Sequence, residues 1–186
     1  MALFGKSMIF NVVLILLILG FSFCRKNKSN GRSHQKRYKI AKRTYNKINS
    51  IYKDKKESGW LILYLRNLDP FVFEELILYS FKKKKIKVVR NKRYTGDGGI
   101  DGKIVLNGKT ILIQAKRYSD WINSEHIVEF ASVCRRLNTT GLFIHTGKTG
   151  ELSKSLFLKY QDCITCISGN KLFDLFIRTK NFNFLG

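Results

Sequence analysis

Between Gly96 and Tyr118 the chain reads GDGGIDGKIVLNGKTILIQAKRY. Two β-prone runs, Ile100–Leu106 and Thr110–Lys116, flank Asn107-Gly108, the strongest short-range signal for a two-residue hairpin. With that dipeptide as the loop, Leu106 faces Lys109 and Asp101 faces Gln114. Opposed side chains share a face, and Lys116, two residues beyond Gln114, points the same way. The other face carries Ile104, Leu106, Ile111, Ile113 and Ala115 and is the expected core side. A carboxylate, an amide and an ammonium thus converge at the open end of the hairpin. That set suits a metal-dependent attack on a phosphodiester.

The chain has 186 residues, 44% of them hydrophobic and 13% aromatic, enough for one domain with appendages and against global disorder. Its net charge of +22, from 35 basic and 13 acidic side chains, points to a polyanionic partner, either nucleic acid or an anionic membrane surface. Cysteines stand at 24, 134, 163 and 166. The CxxC of Cys163 and Cys166 lies in a strand-like DCITCIS with no second pair nearby. Reduced thiols fit better than zinc.

Met8–Cys24 (MIFNVVLILLILGFSFC) is almost wholly apolar and is expected to form a single membrane span within an anchor over 1–24, in preference to a removed signal. Residues 25–56 hold thirteen Lys or Arg against one Asp, whereas the leading segment has only Lys6. The positive-inside rule therefore puts the rest of the chain on the cytoplasmic side of the inner membrane. Within the basic segment 25–57, Arg25–Lys36 reads as a linker. Tyr38–Lys56 reads as a basic amphipathic helix with Ile40, Thr44, Ile48 and Ile51 on one stripe. Anionic lipid headgroups or simple solvation are the expected role of that helix, DNA phosphates the sharper alternative. Residues 58–186 remain basic on their own.

From Ser58 the pattern alternates. A short apolar helix over Ser58–Leu68 precedes Asp69-Pro70, an N-cap followed by proline at the first helical position. The next helix buries Phe73, Leu76, Ile77 and Phe81 and ends in lysines, which complements its dipole. Lys85–Arg90 reads as a strand leading into the hairpin. A helix from Ser124, a buried strand Thr140–Thr146, a helix Glu151–Tyr160, the CITCIS strand, a turn at Gly169-Asn170 and a helix from Lys171 follow. Helices alternating with strands imply an α/β sandwich around a mixed sheet.

FEEL, GDGGIDG, QAKRY, GLFIHTGKTG and CISGNKLFDL, in this order over Asp69–Phe176, resemble the Mrr-type restriction endonucleases of the PD-(D/E)xK nuclease superfamily. The resemblance implies a restriction-endonuclease-like sandwich and cleavage of DNA with Mg²⁺, or Mn²⁺ in its place. Some family members also carry amino-terminal membrane segments. By the same resemblance Asp101, Gln114 and the Ala115 carbonyl are metal ligands and Lys116 is the catalytic lysine. Gln114 stands where most of the superfamily has Glu, and Glu74, ahead of the less suitable Glu75, is the carboxylate that compensates. Asp97 is assigned to the second shell of the metal, although alone it reads as a turn residue. Lys92, Arg93, Arg117 and Lys148 are the expected contacts to DNA, and a homodimer is compatible with the family. His145, in an apolar strand, reads as structural, and Gly147-Lys148-Thr149 lacks the glycines of a phosphate-binding loop. The alternatives are a membrane-tethered DNA-binding protein with an inactive nuclease fold, or a lipid-binding scaffold.

Overall fold

The computed structural model describes residues 33–51, 58–90 and 99–177. The expected membrane segment Met8–Cys24 lies outside them, as do Lys92, Arg93 and Asp97. Among the described residues no helix is long and apolar enough to cross a membrane.

The hairpin forms with the register that its turn dictates. Asn107 (φ 51°) and Gly108 (φ 76°) both occupy the left-handed region, as a two-residue turn matched to the strand twist requires. Leu106 pairs with Lys109 and Gly102 with Ile113. Strand β2 is Gly102–Leu106 and β3 is Lys109–Lys116, with β1, Lys87–Arg90, on the outer side of β2. β4 (Thr140–His145) and β5 (Ile164–Ile167) then add parallel to β3. The sheet order is β1-β2-β3-β4-β5, antiparallel over its first three strands and parallel over its last two pairings. The mixed sheet expected from the alternation is present.

Helices cover both faces. On one lie α1 (residues 33–51), α2 (Ser58–Arg66), α3 (Pro70–Lys83) and α6 (Gly169–Phe176), packed on Ile104, Ile111, Ile113, Ala115, Leu142, Ile144 and Ile167. On the other, α4 (Ser124–Arg136) and α5 (Glu151–Lys159) cover Leu112 and Phe143. The hydrophobic hairpin face is a core side as expected. Its opposite face is covered too, so Leu112 and Gln114 are buried as deeply as the apolar set. Asp69 caps α3 by accepting the Val72 N–H at 3.1 Å, with Pro70 opening the helix.

Two readings change. The last helix starts two residues earlier than expected: the turn at Gly169-Asn170, with Gly169 at φ 51° and the Lys171 N–H donating to the Ser168 carbonyl at 3.1 Å, is itself the first turn of α6. The basic helix is not a separate appendage: from Arg37 on, it belongs to the same compact unit as the sheet. Ala41, Tyr45 and Ile48 of α1 are fully buried in the main core, whereas Ile51 is half exposed and Ile40 only partly covered. Thr44 and Ile48 of the expected stripe are buried, Ala41 and Tyr45 take the place of Ile40 and Ile51, and the stripe meets protein. Tyr38 and Tyr45 pack edge-on against Tyr79 of α3, and Asn49 Nδ2 donates to the Phe176 carbonyl at 3.0 Å. A chain whose α1 belongs to the core is destabilised through it. Ile48→Ala is expected to cost about 2–5 kcal/mol in chemical denaturation, and Ile51→Ala less than about 0.5 kcal/mol.

Candidate active site

β2 and β3 part at their open end, and Asp101 sits where they do. It stands one residue before β2, and its N–H donates to the Ile113 carbonyl at 2.8 Å, one position short of Gln114. Asp101 is therefore not a ladder partner of Gln114, as the extrapolated register has it. The carboxylate instead accepts the Ala115 N–H at 2.6 Å. That short charge-assisted bond fixes its orientation.

Gln114 is 3% exposed. Its Nε2 donates to the Gly99 carbonyl at 3.0 Å, which assigns Oε1 as the remaining acceptor, and Oε1 is buried with no hydrogen-bond partner. Gly99 (φ 79°) must be glycine for this contact, because a Cβ there would lie 2.6 Å from Gln114 Nε2. An orphaned buried amide oxygen costs stability in a protein interior. It is the kind of atom a hard cation takes as ligand.

Glu74 reaches the same place from the first turns of α3. Burial, and then the nearby charge of Asp101, push its carboxyl up to about 8, against the opposing influence of Arg37 and Lys116. Asp101 is raised to about 6, chiefly by burial, with the Ala115 N–H and Lys116 opposing. Glu74, Asp101 and Lys116 thus share one electrostatic neighbourhood that holds two carboxyls reluctant to ionise together. Its two carboxyls and Gln114 Oε1 are oxygen donors of the kind that suits a hard divalent cation, whose charge would relieve the carboxyl repulsion. Among the described residues no group of three His, Cys, Asp or Glu side chains is placed to hold a metal, so any such site depends on the amide and on main-chain oxygen.

The neighbouring side chains divide plainly. Glu75 is 2% exposed and pairs with Arg90 at 2.9 Å, a structural ion pair. His145 is fully buried, its Nε2 3.4 Å from Cys166 Sγ, and burial holds it down at about 4. Arg117 donates to the Arg66 carbonyl at the end of α2. Lys148 pairs with Asp120 at 2.9 Å and sits 5.4 Å from the centroid of the Trp121 ring, which is 60% exposed. The sequence reading singled out neither Trp121, beside Lys148, nor Arg37, near Glu74. Trp121 lies in an aperiodic loop. Arg37 lies on a helix read as an appendage, yet its Cζ is 4.2 Å from the Phe71 ring centroid, one turn before Glu74.

The restriction endonuclease family model Mrr_cat matches residues 65–176, more than half of the chain. The chain belongs to the Mrr restriction endonuclease family. Glu74, Asp101, Gln114 and Lys116 all fall inside the Mrr-matched stretch, and α1 falls outside it. Among solved structures, the MspJI restriction endonuclease in complex with a 27-mer oligonucleotide is similar at 18% identity with a TM-score of 0.47. That match covers 64% of this chain and 32% of that one. The restriction endonuclease FokI matches at 13% identity and a TM-score of 0.47, over 73% of this chain and 29% of that one. Pyrococcus furiosus SfsA in complex with Ca²⁺ matches at 13% identity and a TM-score of 0.30, over 52% and 55%. This chain therefore spans about a third of the MspJI and FokI structures. No curated protein matches it.

The Glu74 carboxyl makes a stability prediction whose sign follows from linkage. A raised folded-state value means that the unfolded chain loses this proton first, so stability falls as pH rises toward about 8. Asp101 has finished titrating by then, and His145, with its lowered value, acts with the opposite sign only below about 6.5. Between pH 6.5 and 8, in chelator, the melting temperature is expected to fall for the wild type and to stay flat for Glu74→Gln, as read by thermal denaturation.

Proposed function

We propose that this chain is a divalent-cation-dependent DNA endonuclease, with Mg²⁺ as the working ion, held at the inner membrane by its first 24 residues with the nuclease domain in the cytoplasm. The observation that carries the catalytic part is the pairing of an oriented Asp101 carboxylate with an unpartnered, buried Gln114 Oε1 two strand positions before Lys116. Membership of the Mrr family supports DNA as substrate, and the net charge of +22 suits a polyanion.

Asp101, Gln114 Oε1 and the Ala115 carbonyl would hold the ion, with Glu74 supplying the second negative charge that Gln114 lacks. When bound, a divalent cation supplies an acidified water and polarises the scissile phosphate. Lys116, at the end of β3, places an ammonium where negative charge grows on the phosphoryl oxygens. The Ala115 N–H keeps the Asp101 carboxylate from turning away, and the Gly99 carbonyl does the same for the Gln114 amide. Glu74, whose carboxyl is held well above the usual range by burial and by Asp101, would ionise more readily beside a bound cation. The apolar run Met8–Cys24 and the thirteen basic residues behind it support the anchor and its orientation.

On plasmid DNA with Mg²⁺, Asp101→Asn and Lys116→Ala are each expected to lower cleavage by about 10²-fold or more while leaving a folded domain. Gln114→Glu should be tolerated and Gln114→Ala should not. Normal cleavage by Asp101→Asn would move the metal site elsewhere. Equal loss of DNA affinity and cleavage in Lys116→Ala would make Lys116 a binding residue only. The anchor has its own test: a reporter fused at Gly186 should be active in the cytoplasm, and periplasmic activity would reverse the orientation.

A further inference from the structure

Arg37 belongs to none of the nuclease motifs and lies outside the family match at 65–176. Helix α1 nevertheless holds it at the site. Ala41, Tyr45 and Ile48 lock α1 into the core, and the Tyr38 and Tyr45 rings pack on Tyr79 at centroid distances of 5.6 and 5.3 Å. The Arg37 guanidinium is therefore seated on Phe71 by a helix that cannot slide. Phe71 and Glu74, three residues apart on α3, share a helix face, so the guanidinium stands beside the carboxylate cluster.

Other cations extend this position along the surface. Lys82 Nζ lies 5.9 Å and Arg90 Cζ 5.2 Å from the centroid of Tyr38, the next residue on α1, and Lys83 Nζ lies 5.6 Å from that of Tyr79. Lys82 and Lys83 are exposed. A row of cations braced on aromatic rings and ending next to a nuclease site matches a phosphodiester backbone better than a lipid layer. A lipid layer would meet the exposed residues of α1, Lys39, Lys42 and Arg43, which are not on the helix face that carries Arg37, Ala41 and Ile48.

We infer that Arg37 is a positioning residue that grips a DNA phosphate adjoining the scissile one, and that α1 together with Lys82 and Lys83 forms the backbone track leading to it. This rests on the nuclease reading for the word scissile, but the DNA contact does not. A guanidinium already stacked on an aromatic ring loses little freedom on gripping a phosphate, whose geometry its planar fork matches.

The test uses the full chain in detergent, a labelled DNA duplex, and vesicles with and without phosphatidylserine. Arg37→Met keeps an apolar stem on Phe71, Arg37→Lys keeps the charge, and Lys42→Ala is the control on the outward face. In chelator, Arg37→Met is expected to weaken duplex binding about 10-fold and to reduce the salt slope of log K by about 1. Single-turnover cleavage at saturating DNA should fall about 10²-fold. Arg37→Lys should recover the affinity more than the rate, and Lys42→Ala should change neither. Unchanged affinity, slope and rate in both Arg37 variants, alongside a wild type that cleaves, would overturn the inference and leave the nuclease intact. Loss of vesicle binding alone would also overturn it and make α1 a lipid surface. A wild type that never cleaves but still loses affinity and slope in Arg37→Met would sink the nuclease reading and sustain the DNA contact.

Discussion

The register between β2 and β3 is the constraint on which the rest depends. It is set by two adjacent residues with positive φ, Asn107 and Gly108, in a turn too short to allow slack. Side chains alternate along a strand, so a slip by one residue would exchange Ile113 and Ala115 with Gln114. The core under α3 would then receive an amide, and the site would lose both Gln114 and Lys116. β4 takes its own alignment from β3, with Phe143 beside Gln114 and His145 beside Lys116. One turn thus aligns three strands, and the burial of both faces makes the alternative registers costly.

What could be read from the sequence followed from rules that act over a few residues. The Asn-Gly turn, the Asp69-Pro70 cap and the apolar spacing of α3 are local, and the structure reproduces them. Where the reading departed, the deciding contact lay far away in the chain. An apolar stripe on α1 says that something covers it, not whether the cover is lipid or Tyr79 and Phe176. Tyr45 and Ala41 carry the burial in place of Ile40 and Ile51 because the position of α3, not hydrophobicity, sets the phase of the helix. Asp101 leaves the ladder for a similar reason. A carboxylate next to an available main-chain N–H prefers that bond to continued pairing, and extrapolating a register cannot foresee it. Trp121 gave no periodic signal at all, since its position is fixed by the main-chain bonds that Asp120 and Ile122 make with Lys148.

Glu74 and Glu75 show how one helix serves two ends. The two are successive residues on α3, and a turn of about 100° between them separates a structural role from a chemical one. Glu75 is buried against Arg90 at 2.9 Å, a pair that ties α3 to the last residue of β1. Losing either partner would strand a buried charge, so this pair resists change. Glu74 has no such settled partner. It is partly buried near a second carboxylate, with Lys116 and Arg37 offsetting only part of the cost.

A domain selected for stability alone would not keep that arrangement. Two carboxyls raised by burial, Glu74 also by the charge of Asp101, and an amide oxygen left without a donor all weaken the folded state when nothing else is bound. Glu74 and Asp101 lie within one neighbourhood; Arg90 Nη2 and His145 Nδ1 are, like Gln114 Oε1, buried without a hydrogen-bond partner, while other buried polar groups are paired. Ser80 bonds the Leu76 carbonyl, and Thr146 joins Tyr118 through both its acceptor and its donor. Two neighbouring carboxyls that resist ionisation are a local conflict of the kind that marks a functional place. On the nuclease reading proposed above, the ligand that would answer these conflicts is a small divalent cation. It would accept the orphaned oxygen, offset both carboxylates, and leave Lys116 and Arg37 to face the phosphates that follow it in.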